Sequence, residues 1–396
     1  MSAELPVYLD HNATTPPLAA VVAEMVDVLQ HVWANPSSMH ASGQAARRVL
    51  ADARLRVASF LGCQAAELVF TSGATEANHM AVLGALAAQR GRRRILLSAV
   101  EHPGLLALAR RLQGEGVAVD LIPVDSQGRL DQAAAQALMG EDLALVSVMG
   151  ANNETGVLMP TATVAAMARA CGAWMHVDAT QLAGKAALHF GESGADLMSV
   201  SAHKFGGPKG VGALMQRKGL VLPPLLSGRQ ERQRRGGTEN LSGIAGFAAA
   251  CDHAAATLAQ QISGMGSLRD RLERGLVQAW PQIRIYGREA ERLANTCCFR
   301  LGDLPAERVL DRLERAGVLA SSGAACSAGG TQPSHVLLAM GESPLHAKGG
   351  VRLSLGTHTT PADIAHTLRA VAEAVAPLLQ AAALSGPLFN PAESTP

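Results

Sequence analysis

From residue 67 to residue 216, short apolar runs alternate with stretches of helical patterning, and polar residues gather directly after the apolar runs. "ELVF" precedes the helix-patterned "ATEANHMAVLGALAAQ", and "RILLSA" precedes "GLLALARRL"; "VAVDLIPV", "LALVSVM", "WMHV", "LMSVSA" and "VGALMQ" continue the series. Runs this short and apolar read as strands buried on both faces, and strands separated by helices read as βα units. The expected fold class is therefore α/β, a mainly parallel sheet with helices on both faces.

Sheets of this kind bind ligands at the carboxyl ends of their strands, where loops and helix N-termini converge. Five such ends carry chemistry in this chain: Thr75 in "TSGATEA", His102 in "VEHPG", Asn152 and Asn153 in "GANNETG", Asp178 and Gln181 in "DATQ", and Ser201, His203 and Lys204 around "SAHKFGGPKG". One polar strand end is commonplace, whereas five in succession imply a ligand.

The residue types narrow that ligand. "TSGATEA" opens a helix with Thr71, Ser72, Gly73 and Thr75, which would turn backbone N–H groups and hydroxyls toward an anion. Asp178 follows a largely apolar run, where a carboxylate is costly unless it meets a cation such as a pyridinium nitrogen. Lys204 sits at a strand end before a Gly-rich loop, where desolvation would make its amine a usable nucleophile. Anion cradle, isolated carboxylate and half-buried lysine together match the needs of pyridoxal 5'-phosphate: a phosphate site, a partner for the ring nitrogen and an amine for the aldehyde.

Bulk properties exclude other classes. Lys plus Arg number 34 against 33 Asp plus Glu, so the net charge of +1 gives no long-range pull toward nucleic acid or anionic membrane. The basic cluster at 90–94 reads as a solvated helix-to-strand turn, and "RQERQRR" at 229–235 as either an anion or a subunit contact. No basic start followed by an apolar stretch opens the chain, and no run of about 18 apolar residues occurs, so neither secretion nor membrane insertion is expected. Six cysteines lack the paired spacing of a zinc site or disulfide framework, which favours a reducing cytoplasm and no metal. At 396 residues, one large and one smaller domain are expected.

The order "LDHNATT", "NPSSMH", "FTSGATEA", "VEHPG", "ANNETG", "HVDATQ", "SAHKFGGPKG", "RRGGTEN", "SSGAACSAG", "PSHVLLAMG" and "VRLSLG" resembles the cysteine desulfurases, pyridoxal-phosphate enzymes of aminotransferase class V, in their nitrogenase-type and iron-sulfur-assembly subgroup. The resemblance implies a fold-type-I homodimer with a seven-stranded main sheet. It implies a large domain over about residues 16–258 and a smaller α+β domain from 1–15 and 259–396, carrying a mobile cysteine loop at about 321–333. It also implies that Lys204 holds the cofactor covalently, Asp178 pairs with the pyridinium nitrogen, His102 stacks on the ring and helps move protons, and Gln181 contacts the ring hydroxyl. Thr75, Ser201 and His203 would hold the phosphate, with Thr238 reaching in from a neighbouring subunit. Asn153 and Arg352 would hold the carboxylate of L-cysteine, and a guanidinium fork suits that group independently of any resemblance.

Cys326 stands apart from the other cysteines. Cys297 and Cys298 in "NTCCFRL" read as small buried hydrophobes, as do Cys63 and Cys171, each beside a glycine. Cys326 lies in "SSGAACSAGG", whose small residues offer no apolar area to bury and permit a segment that swings. A swinging thiol suits the chemistry that the resemblance implies: its thiolate attacks the substrate sulfur, alanine leaves, and the persulfide passes to a sulfur-acceptor or iron-sulfur scaffold protein. Ser227 and Arg229 in "SGRQERQ" depart from the family's Gly-Gly-His leading into Glu-Arg, which bears on the subunit-facing loop. Two rivals stand beside this reading, a selenocysteine lyase or other class V β-elimination enzyme, and an inactive scaffold for iron-sulfur assembly.

Overall fold

The computed structural model describes residues 6–323 and 332–384. A short strand β1 (Val7–Tyr8) leads into helices Ala19–His31 and Ala41–Leu61. The main sheet follows as β2 (Leu68–Thr71), β3 (Arg94–Ser98), β4 (Ala118–Ile122), β5 (Leu143–Met149), β6 (Trp174–Asp178), β7 (Leu197–Ser201) and β8 (Gly212–Gln216). These strands lie in the order β2-β8-β7-β6-β5-β3-β4. β8 alone runs against its neighbours β2 and β7, and every other pairing is parallel. Two reversals cancel, so β2 points the same way as β3 to β7, and the carboxyl ends of β2, β3, β5, β6 and β7 share one edge.

Both faces of this sheet are buried, as the unbroken apolar runs require. Successive side chains alternate between faces: Val69, Ile95, Leu97 and Leu145 pack with Ala81, Leu105 and Leu108 of the helices Ala74–Ala88 and Pro103–Gly114. Phe70, Leu96, Val146 and Val148 join a second cluster on the opposite face with Val164 and Phe247.

A separate apolar core gathers Leu9 with Leu272, Leu276, Cys297, Phe299, Leu313, Leu353 and Val371. It backs an antiparallel sheet made of β9 (Arg284–Ile285), β10 (Thr296–Arg300), β12 (Ser321–Ser322) and β13 (Val351–Ser354), while β11 (Val318–Leu319) pairs in parallel with β1. The 39-residue helix Leu241–Ala279 joins the two cores, burying Ile244 and Phe247 in one and Leu272 and Leu276 in the other.

The cluster at 90–94 is less solvated than its composition suggests. Arg94 forks onto Asp142 at 2.7 Å and Asp120 at 2.8 Å, and Arg92 donates to the carbonyls of Leu143 and Cys171. These arginines fasten strand and helix ends together. No helix among the described residues is long and apolar enough to cross a membrane.

Candidate active site

A cleft of about 570 Å³ opens at the shared carboxyl edge, and Thr75, His102, Asn153, Asp178, Gln181, Ser201, His203, Lys204 and Arg352 all line it. Thr238 lines a smaller neighbouring cavity, which shares Ser72 and Gly210 with the cleft. Cys326 lies outside the described residues, as does most of the expected cysteine loop. Asn152 is buried and builds the turn instead of facing the cleft: its Oδ1 accepts from the backbone N–H groups of Glu154 and Thr155.

Lys204 ends the single turn Ala202–Lys204 that follows β7. Its Nζ donates to the carbonyls of Asn12 and Ala13 at 2.7 and 2.9 Å, so the N-terminal "LDHNATT" segment fixes the direction of the amine. Asp178 ends β6 and is held from both sides. Asn78 Nδ2 donates to Oδ2 at 2.8 Å and the Thr180 N–H to Oδ1 at 3.0 Å, which presents an oriented carboxylate.

The turn after β2 places Ser72, Gly73 and Thr75 at the cleft. The helix Ala74–Ala88 starts after Gly73 without a side-chain cap, which leaves backbone N–H groups of its first turn for a ligand. Gly212 makes the close approach possible, since a Cβ there would stand 2.7 Å from Gly73 Cα and 2.5 Å from the Val200 carbonyl oxygen. Glu76 accepts from the Ser72 N–H at 2.8 Å and from Arg235 Nε at 2.8 Å, which ties the cradle to the segment that precedes Thr238.

Two histidines line the cleft, and the pKa of each is lowered. Burial, helped by Lys204, Lys209 and Lys185, pushes His203 down to about 4. Burial also lowers His102, partly offset by the negative charge of Asp178. The Gly104 N–H donates to His102 Nδ1 at 3.1 Å, which caps the helix Pro103–Gly114 and assigns the hydrogen of the neutral ring to Nε2.

Arg352, on β13, meets the cleft from the second core. Its Nη2 donates to Asp10 Oδ1 at 2.6 Å and its Nη1 to the Asn153 carbonyl at 3.0 Å. Of the seven buried side-chain polar atoms without a partner among the described residues, four, Asn78 Oδ1, Asn153 Oδ1, Thr180 Oγ1 and Arg352 Nε, belong to residues lining the cleft. Polar atoms are not left so at a site meant to stay dry. Together with a lysine amine, an oriented carboxylate and an anion cradle, they fit a polar ring bearing an aldehyde, a hydroxyl and a phosphate, the functional groups of pyridoxal 5'-phosphate.

Sequence reasoning missed Asp10, Asn12, Asn78 and Lys185. Asp10 and Asn12 stand in "LDHNATT", but nothing in one sequence indicates that this segment crosses to Lys204 and Arg352. Asn78 lies four residues past Ala74 on the helix that bears Thr75, close enough to its start to have invited inspection.

Sequence and structure comparisons bear on the family and the fold. The aminotransferase class-V family matches residues 7–366. A cysteine desulfurase of Rhodobacter capsulatus is 45% identical over 375 residues, covering 94% of this chain and 97% of the relative. A solved structure described as a NifS-like protein superposes with a TM-score of 0.88 at 33% identity, covering 94% of this chain and 99% of the other. A second, SspA in complex with cysteine, superposes with a TM-score of 0.78 at 27% identity, covering 89% and 100%.

Proposed function

The chain belongs to the aminotransferase class-V family and is a pyridoxal-phosphate-dependent cysteine desulfurase, and from that premise we propose that Lys204, His102 and Cys326 move its protons and sulfur while Arg352 and Asn153 hold L-cysteine. The observation that carries this reading is the convergence of Lys204, Asp178 and Arg352 on one cleft. When bound, pyridoxal phosphate supplies an electron sink that loosens the hydrogen on a neighbouring carbon and, beyond it, the carbon–sulfur bond.

The remaining work falls to the chain. Lys204 would hold the cofactor covalently, and its amine, aimed by the Asn12 and Ala13 carbonyls, would serve as the base for the proton on the substrate α-carbon. Asp178, oriented by Asn78 and the Thr180 N–H, would pair with the ring nitrogen, and Gln181 would contact the ring hydroxyl. Thr75, Ser201 and His203 would hold the phosphate, with Thr238 of a second copy completing that site. Arg352 takes the substrate carboxylate through the N–H groups not spent on Asp10 and Asn153. With its Nδ1 engaged by Gly104, His102 offers a proton from Nε2.

The Cys326 thiolate attacks the substrate sulfur, forming a sulfur–sulfur bond as the carbon–sulfur bond breaks. The released electron pair returns to carbon, which takes up a proton and leaves as alanine, and Cys326 keeps the persulfide. Four of the five other cysteines support this assignment: burial pushes Cys63 up to about 12, and Cys251, Cys297 and Cys298 are raised as well, so none of these four is a ready thiolate.

The persulfide then passes to an acceptor protein that builds iron-sulfur clusters in the cytoplasm. A homodimer is supported by an apolar stripe of Val22, Val26, Leu29 and Trp33, the last 78% exposed, which a single copy leaves open. The two apolar cores support a large domain of about 16–258 and a smaller one from 1–15 and 259–396, with the boundary inside the helix Leu241–Ala279.

The test is release of alanine and sulfide from L-cysteine in the presence of dithiothreitol by wild type and Cys326→Ala. Equal release by wild type and loss in a variant that keeps its yellow cofactor is the expected result. Turnover by the variant at the wild-type rate would exclude the persulfide route and favour a plain elimination such as a selenocysteine lyase performs.

A further inference from the structure

The Lys185 side chain is buried outside the cleft, and burial together with the nearby charges of Lys204 and Arg352 lowers its pKa well below that of an ordinary lysine. Burying an amine next to two cations is costly, and the surrounding geometry shows what it does. Its Nζ has two acceptors, Gln181 Oε1 at 2.6 Å and Asn12 Oδ1 at 3.0 Å. An uncharged amine has two hydrogens to match them.

Both amides are constrained elsewhere by groups that act in one sense only. Gln181 Nε2 donates to the Asn12 backbone carbonyl at 3.0 Å, which can only accept. Asn12 Oδ1 also receives Asn295 Nδ2 at 3.0 Å, and the Asn295 amide is oriented in turn by the Leu355 carbonyl at 3.1 Å. Asn12 Nδ2 donates onward to Thr296 Oγ1 at 2.9 Å. With its oxygen held by Lys185 and one hydrogen given to Asn12, Gln181 has its second N–H left for the cleft it lines.

We propose that Lys185 is a positioning residue that locks the Gln181 amide with an N–H toward the cofactor's ring oxygen and steadies the Asn12 carbonyl that receives the Lys204 amine. This rests on the reading above, in which Gln181 faces the ring hydroxyl. Without Lys185 the Gln181 oxygen loses its donor and only the Asn12 carbonyl still orients the amide, so the turned-over form, with its oxygen toward the ionised ring oxygen, gains population at the expense of the N–H donor. The absorbance of the lysine-bound cofactor changes with pH at a midpoint that rises when a donor to this ring oxygen is lost.

The experiment is a pH titration of visible absorbance for the holoenzyme as wild type, Lys185→Met, Gln181→Leu and the double variant. Both single variants are expected to raise the midpoint by about one pH unit, the size of one hydrogen bond to a charged group. The double variant is expected to show the shift of Gln181→Leu and no more, because Lys185 acts through Gln181. An unmoved midpoint in Gln181→Leu overturns the placement of Gln181 itself. A shift in Gln181→Leu with none in Lys185→Met, or an additive shift in the double variant, overturns the role of Lys185. Should Lys185→Met not fold, Lys185→Gln retains a donor on a chain one bond shorter; a smaller upward shift is expected, and an unchanged midpoint overturns the proposal.

Discussion

Arg352 Nη2 lies 2.6 Å from Asp10 Oδ1, and the same guanidinium donates through Nη1 to the Asn153 carbonyl. Arg352 is buried and stands on β13, where Cys298 opposes it on one side and Ser321 on the other. The two contacts fix the plane of the fork while leaving one hydrogen on each terminal nitrogen for a ligand. Arg352→Lys keeps the charge and loses the fork. The expected outcome is a KM for L-cysteine raised about tenfold or more, with kcat changed far less and the cofactor colour intact, measured by steady-state alanine formation.

His102 is held by Gly104 in a tautomer that carries its hydrogen on Nε2. His102→Asn keeps an acceptor at the Nδ1 position for the Gly104 N–H and removes the titrating ring. Such a variant is expected to bind the cofactor and to lose about 10²–10⁴-fold in the rate of alanine formation, read in single-turnover experiments.

Glu101 is fully buried beside His102; Ser98 Oγ and the Met149 N–H both donate to its Oε1 at 2.6 Å, and burial pushes its pKa up from 4.5 to about 8. Its folded-state pKa is the higher one, so the stability it contributes is complete below pH 4.5 and is lost as the pH rises through 8. Glu101→Gln is therefore expected to melt higher than wild type at pH 8 and at the same temperature near pH 4.5. Three histidines act in the opposite sense: His11, His176 and His203 are pushed down from 6.5 to about 4, so stability falls as the pH drops through that interval. Thermal unfolding across these pH values checks both limbs.

Glu231 covers the open edge of the main sheet. Its carboxylate pairs with Arg54 and accepts from the Phe70 N–H of edge strand β2 at 2.9 Å, while Arg54 and Arg234 both donate to the Leu68 carbonyl. Glu231, Arg232 and Gln233 all adopt left-handed backbone, with φ of 47°, 57° and 64°, which non-glycine residues hold only under constraint. Glu231→Ala leaves the buried Phe70 N–H without its acceptor and the half-buried Arg54 guanidinium with the Leu68 carbonyl but no carboxylate. A loss of about 3 kcal/mol is expected in denaturant unfolding, with Glu231→Gln losing less.

The main sheet and most of the residues that line the cleft at its carboxyl edge were legible in the sequence for a local reason. Thr75, His102, Asp178 and Lys204 each follow an apolar run within a few residues, so the strand that positions them is written beside them. The reversal of β8 was not legible, because an apolar run reads alike in either direction.

The sequence by itself determined which side chains could bear chemistry, because strand periodicity and the end of each run are properties of neighbouring residues. Only the tertiary structure decided what holds them. Asp10 reaches Arg352 across 342 positions, Lys185 reaches Asn12 across 173 and Asn78 reaches Asp178 across 100. Hydrogen bonds of that reach depend on where the elements carrying the partners pack, and no pattern among adjacent residues encodes that distance.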